Sequence, residues 1–170
     1  MELRKFIATT IREYLNEQQE MLLAPNGNVS NLPKNLYEYV RTEEFKSWFG
    51  DWENNQNNSS KIIDENGEPM LLFHGTNNEF SEFKNAYHKN RYFFTNDEEL
   101  SRSYGSRNIK VFLNIKKPLK TNSNIDFSNT FDDSEIDGKY DGVIYNSETE
   151  KGEPINAIIA FNPNQIKIIS

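Results

Sequence analysis

His74, Gly75 and Thr76 follow the apolar run Leu71-Leu-Phe73. Of all the residues in this sequence, they are the best placed to do chemistry. A histidine at the end of a buried strand points into whatever cleft forms beyond it, and its imidazole can donate or accept a hydrogen bond near neutral pH. The glycine beside it lets backbone approach a ligand closely. On physical grounds alone His74 reads equally as a satisfied structural histidine or as a site residue. The second histidine, His88, stands in the polar stretch Tyr87-His-Lys-Asn90 and reads as a surface residue.

Other chemistries are excluded by what is missing. The chain has no cysteine, so it carries no disulfide scaffold, no Cys-ligated zinc and no thiol nucleophile. Two histidines without a His-Glu-x-x-His pattern give no multi-histidine metal site, and no metal is expected. No Walker-type or Gly-x-Gly-x-x-Gly loop is present. The net charge is -7, which argues against a broad electrostatic grip on nucleic acid. A local pocket for an anionic ligand stays open, because site charge and net charge differ. The 24 asparagines read as the codon bias of an A/T-rich genome.

The elements that must position these residues follow from periodicity. Residues 2–23 predict one amphipathic helix, with Leu3, Phe6, Ile7, Ile11, Tyr14 and Leu15 at three- and four-residue steps. Its polar face is mixed in sign, so it is expected to pack on the domain or on a protein partner, not on a membrane. No apolar run approaches the length of a membrane span and no signal peptide is visible, so the expected compartment is the cytoplasm. Residues 24–34 are turn formers and read as a linker. Residues 35–41 read as a short bridge. Thr42 is expected to cap a helix carrying the aromatic stripe Phe45, Trp48, Phe49 and Trp52. A hairpin is expected around Asn66-Gly67. Strands are expected at 91–95, 109–115, 141–145, 155–161 and 165–169. A helix over 96–104, capped by Thr95 or Asn96, is expected between the first two of these strands. The pattern is α+β: N-terminal helices, then a predominantly antiparallel sheet with one helix.

The order His74-Gly75-Thr76, Tyr92-Phe93-Phe94-Thr95, Ser101-Arg-Ser-Tyr104 resembles the active-site run of ADP-ribosyltransferases of the diphtheria-toxin and poly(ADP-ribose) polymerase type. More narrowly, the chain resembles the ADP-ribosyltransferase-like domains of phage polyvalent and phage-associated bacterial proteins. That resemblance also rests on Phe45-Lys-Ser-Trp-Phe-Gly-Asp-Trp52, Asp64-Glu-Asn-Gly-Glu-Pro69, Val111-Phe-Leu-Asn-Ile-Lys-Lys-Pro118, Asp141-Gly-Val-Ile-Tyr145 and Phe161-Asn-Pro-Asn-Gln-Ile-Lys167. It covers residues 39–169.

The resemblance implies a split antiparallel β-sheet with NAD bound across the cleft as substrate. It assigns His74 to a ribose hydroxyl, and Gly75 and its neighbour Thr76 to the strand that holds the nicotinamide carboxamide. Ser101 would contact that carboxamide. Tyr104 would stack on the ring, a contact worth about 0.5–1.5 kcal/mol beyond area burial. Phe93 stands where the motif has tyrosine, and can supply a wall but no hydroxyl. The usual glutamate position falls on Ala157, eight residues before Gln165. The nearest carboxylate, Glu153, precedes that strand and is the candidate replacement. The Asn162-Pro-Asn-Gln165 block supplies Asn162 and Gln165, which read as caps of the final turn, and Asp141-Gly142 reads as a turn feeding a strand.

Taken together, residues 1–34 are expected to be an N-terminal helix and linker, and residues 35–170 an ADP-ribosyltransferase-like domain. The implied activity is NAD-dependent mono-ADP-ribosylation of a host protein or nucleic acid by a phage or prophage enzyme. Two alternatives stay open. One is a weak or inactive module that binds NAD or ADP-ribose. The other is an interaction protein working through its N-terminal helix.

Overall fold

A computed structural model of the chain describes residues 6–7, 9–10, 21–84, 91–121, 138–148 and 154–169, with backbone alone at 146–148 and 154–156. Between residue 21 and the sheet stand two short helices, α1 (Lys34–Tyr39) and α2 (Glu43–Phe49). The strands are β1 (Leu72–Thr76), β2 (Tyr92–Thr95), β3 (Arg107–Leu113), β4 (Pro118–Thr121), β5 (Gly142–Glu148), β6 (Pro154–Ala160) and β7 (Ile166–Ile169), with α3 (Glu98–Arg102) between β2 and β3. They form one seven-stranded sheet in the order β4-β5-β6-β2-β1-β3-β7. Every described pairing is antiparallel except β4 with β5, which is parallel. The α+β class and the mostly antiparallel sheet are as the sequence predicts.

β3 explains why the sheet is covered on both faces. Side chains alternate across a strand, yet Val111, Phe112 and Leu113 are all fully buried. Val111 and Leu113 join a core with Leu72, Tyr92, Phe94, Ile115 and Ile158. Phe112 points the other way, into Leu32, Leu36, Val40, Phe45, Phe49 and Trp52. The α2 aromatics therefore dock on the back of the sheet. Phe45 meets Phe49 in a stack at 5.1 Å and Phe112 edge-on at 5.2 Å.

Several expectations are revised. α2 is capped by the Thr42 hydroxyl, which accepts from the Phe45 amide, but it ends at Gly50 (φ 99°). Trp52 is thus outside the helix, although it is buried in the same cluster. α1 starts at Lys34, the last residue of the expected linker, and takes up most of the expected bridge at 35–41. The expected helix over 2–23 stops short of Met21 and Leu22, and Leu23 pairs with Val29 in an isolated bridge. Of its earlier residues, Phe6, Ile7, Thr9 and Thr10 are helical and the rest lie outside the described residues. The hairpin at Gly67 (φ 82°) is closed by one bridge, Ile63 to Pro69. β4 begins at Pro118, where the sequence pattern stops. A proline serves as the first residue of a strand because no ladder donor is needed there.

The segment before α1 is tied to that hairpin. Asn26 and Asn28 donate to Asn66, and Asn31 donates to Asp64 and Glu65. The Glu68 carboxylate is fully buried and takes Arg41 at 2.7 Å, with the Ser30 hydroxyl as a second donor. Arg41 also lies over the Tyr37 ring at 3.4 Å. Among the described residues no helix is long and apolar enough to cross a membrane.

Candidate active site

β1 and β2 share one register pair, Phe73 with Thr95, and then part. On its other edge β1 stays paired with β3 for its full length: His74 faces Ile109, Gly75 faces Asn108 and Thr76 faces Arg107. The His74 ring bridges the parting. Its Nδ1 lies 2.8 Å from the Phe93 carbonyl oxygen on β2. A carbonyl only accepts, so Nδ1 carries the proton and neutral Nε2 is left as an acceptor. The ring sits against Phe83 at 5.1 Å, Phe94 at 5.6 Å and Phe80 at 6.3 Å. Burial among these rings holds the imidazole below its ordinary pKa, against the opposing pull of the Phe93 carbonyl. His74 is therefore neutral at physiological pH.

Gly75 is where α3 meets the sheet. A Cβ built there would stand 1.8 Å from the Ser101 carbonyl oxygen and 3.1 Å from the Tyr104 Cβ. Glycine is required by this close approach. Gly105 plays the same part on the other side, with Thr76 backbone atoms 2.2–2.6 Å from its would-be Cβ. α3 is held in place by the Asp97 side chain, which accepts from the Glu99 and Leu100 amides. That cap lies one or two residues beyond the expected Thr95 or Asn96, and the helix spans 98–102 where 96–104 was expected. Thr95 caps the preceding turn, its hydroxyl accepting from the Asp97 amide.

The described residues singled out in the sequence fall on β1, on β2 and in and just after α3. His74, Gly75 and Thr76 stand on β1, and Thr76 is buried with its hydroxyl accepting from the Asn78 amide. Ser101 is buried in α3. Phe93 on β2 is 41% exposed and Tyr104 is 69% exposed, so two aromatic rings are open to solvent around the parting. Ala157 on β6 is in register with Thr95 and with Tyr145. The row Phe73, Thr95, Ala157, Tyr145 therefore crosses the sheet without a carboxylate. Glu153 lies outside the described residues, as does His88.

Three residues, Asn108, Phe80 and Phe83, were missed by sequence reasoning. Asn108 faces Gly75 across the β1–β3 ladder, and its Oδ1 accepts from the Ser101 hydroxyl at 2.7 Å. Its Nδ2 is buried with no partner among the described residues. A buried unpaired donor costs about 1–3 kcal/mol. No local motif marks Asn108, since the register that brings it to Gly75 is tertiary. Phe80 and Phe83, which wall His74, were missed for the same reason.

The end of the sheet is structural. The Asp141 carboxylate accepts from the Lys116 and Lys117 amides, and Gln165 donates to the Asn114 and Asp141 carbonyls. Asn162 and Gln165 form a reciprocal cap. A cleft of about 730 Å³ is lined by Phe83, Tyr92, Phe161 and Pro163 among others, and by none of His74, Gly75, Ser101 or Tyr104.

Comparison with known proteins shows the family. No curated protein matches the chain. A solved structure described as the crystal structure of an anti-CRISPR protein is similar at 18% identity, over 59% of this chain and 95% of that one, with a TM-score of 0.36. Residues 64–170 match the family described as ADP-Ribosyltransferase in polyvalent proteins, a stretch that begins in the hairpin before β1 and holds all seven strands and α3. The chain belongs to that ADP-ribosyltransferase family of polyvalent proteins.

Proposed function

We propose that the chain is an NAD-dependent mono-ADP-ribosyltransferase of phage or prophage origin, and that its acceptor is a host protein or nucleic acid. The observation that carries this is the state of His74. The ring spans the parting of β1 and β2, its Nδ1 proton is committed to Phe93, and its neutral Nε2 accepts. A ribose hydroxyl is the partner such a nitrogen suits. The other residues fit NAD as well: an exposed Tyr104 ring, a glycine backbone beside it, and a buried amide donor with no acceptor among the described residues.

NAD, when bound, supplies an N-glycosidic bond whose cleavage releases neutral nicotinamide and leaves an oxocarbenium-like ribose open to attack. The protein's part is positioning. His74 holds the ribose through Nε2. Tyr104 and Phe93 shield the ring side from water. A neutral His74 adds no positive charge beside a cationic transition state, and burial is what keeps it neutral.

Ala157 favours a second reading, a module that binds NAD or ADP-ribose without turning it over. Loss of one preorganised electrostatic stabiliser costs about 3–4 kcal/mol of barrier. Glu153, which precedes Pro154 in the sequence, is the proposed replacement.

Labelled NAD, incubated with the purified chain and with bacterial lysate, separates the readings. Nicotinamide release with label on a macromolecule is expected, falling about 100-fold in His74→Ala. Wild type that binds NAD without releasing nicotinamide, while Ala157→Glu releases it, overturns the transferase in favour of the module.

A further inference from the structure

Phe83 touches two places at once. It is the nearest of the three phenylalanines on the His74 ring, edge-on at 5.1 Å. It also lines the cleft of about 730 Å³, which Phe80, Phe94 and His74 do not line. Tyr92, on the same cleft wall, meets Phe83 edge-on at 5.7 Å. Phe83 is itself buried. Its ring is therefore a partition between an open cleft and the imidazole. Successive side chains leave a strand on opposite faces, so α3, packed over Gly75, lies across the sheet from the His74 ring. Among the described residues, the titratable groups on the elements at the His74 face are Tyr92 on β2, Arg107 on β3, and Glu79, Glu82 and Lys84 in the loop after β1. Arg107 is paired with Glu79 at 3.0 Å and Lys84 with Glu82. What acts on the His74 proton is burial, opposed by the Phe93 carbonyl.

We propose that Phe83 is a positioning residue, a partition that keeps cleft water off His74 so that the imidazole holds one state, with Nδ1 on the Phe93 carbonyl and Nε2 left to accept. The proposal rests on the NAD reading above and names the residue that maintains the histidine on which that reading depends. Water at an imidazole favours its charged form and lets the proton change nitrogens. Removing the Phe83 ring leaves a hole that joins the cleft to His74. A hole of this kind, beside a polar group and open to solvent, fills with water. A protonated His74 would carry a donor at Nε2 in place of the acceptor. It would also set a positive charge beside a ribose that becomes cationic. Phe80 and Phe94 pack on the same ring but do not border the cleft, so neither replaces the partition.

The test reads the histidine and the ligand separately, on the full chain. The sequence holds 2 histidines, so the His74 NMR signal is assigned by its loss in His74→Asn. Its titration is followed in wild type, Phe83→Ala and Phe83→Leu. NAD is titrated into the same three proteins at about pH 7.5 and about pH 6. In Phe83→Ala the His74 titration is expected to rise toward the ordinary value of about 6.5. NAD affinity is then expected to fall about fourfold between the two pH values, which is the loss of neutral imidazole at that pKa. The wild type is expected to lose less. Phe83→Leu keeps the wall apolar and is expected to return both readouts toward wild type. A His74 titration unmoved by Phe83→Ala overturns the proposal. So does NAD binding weakened equally at both pH values, which marks a structural role. A titration that moves while NAD affinity keeps the wild-type pH dependence overturns the positioning role and leaves the NAD reading intact. Failure of folded wild type to bind NAD overturns the NAD reading, and the positioning role with it. If Phe83→Ala does not fold, Phe83→Val carries the comparison, because it also removes the ring, and the same direction of change is expected.

Discussion

At the scale of single residues, His74 is defined by what surrounds it. The apolar strand that carries it is visible in sequence, but three phenylalanines and one carbonyl set its protonation and tautomer. The pH consequence has a definite sign. Burial lowers the folded pKa below the unfolded value of about 6.5. Between those two values the unfolded chain binds more protons, so stability rises with pH. His74 therefore contributes fully above about pH 6.5, and that contribution is lost as pH falls through the lowered value. Urea unfolding of wild type and His74→Asn between about pH 5 and 7.5 checks this. Wild type is expected to lose more stability than the variant on acidification, since the difference removes whatever His88 contributes. Parallel curves would mean that His74 is not buried in the neutral form.

At the scale of elements, the contact between α3 and β1 is the feature that assembles the site. It places Ser101 and Tyr104 over Gly75, and it exists because position 75 has no side chain. Gly75→Ala would drive a methyl group into the Ser101 backbone carbonyl, which cannot rotate away. The helix must shift, and overpacking of this kind costs about 1–3 kcal/mol. The expected outcome is a lower urea midpoint together with loss of NAD binding. Unchanged stability and binding would place α3 elsewhere. The sequence carried much of this element: the strand, the turn and the helix start were legible because a buried strand, Thr95-Asn96-Asp97 and two acidic residues in the first turn are local signals. The choice of Asp97 as cap was not legible. Three adjacent residues could each cap, and the winner depends on where the chain leaves β2.

At the scale of the whole molecule, the sheet is sandwiched between two apolar clusters, and the N-terminal segment is locked to the hairpin before β1. The lock is ionic at its centre, with Glu68 fully buried against Arg41. Removing one partner of a buried pair leaves an uncompensated charge and costs about 3–5 kcal/mol. Arg41→Ala is therefore expected to lower the unfolding free energy by that amount, and it also removes the stack on Tyr37. Denaturant unfolding followed by tryptophan fluorescence reads it, because Trp52 packs in the same cluster. A loss below about 1 kcal/mol would show that the pair behaves like an exposed one.

By itself, the sequence determined the class of the fold, most of the strands, the aromatic face of α2 and the order of the His-Gly-Thr, Phe-Phe-Thr and Ser-x-x-Tyr blocks. These are written in residue type and in periods of two and 3.6, which any local stretch of chain expresses. Only the tertiary structure decided that β1 and β2 part after a single pair, that α1 forms where a bridge was expected, and that β4 runs parallel to β5 from a proline. It alone brought Asn108 beneath Ser101 and set Ala157 in the row of Thr95. The reason is physical: register, burial and close backbone approach are properties of pairs of segments far apart in the chain. No spacing within one segment encodes which partner it meets.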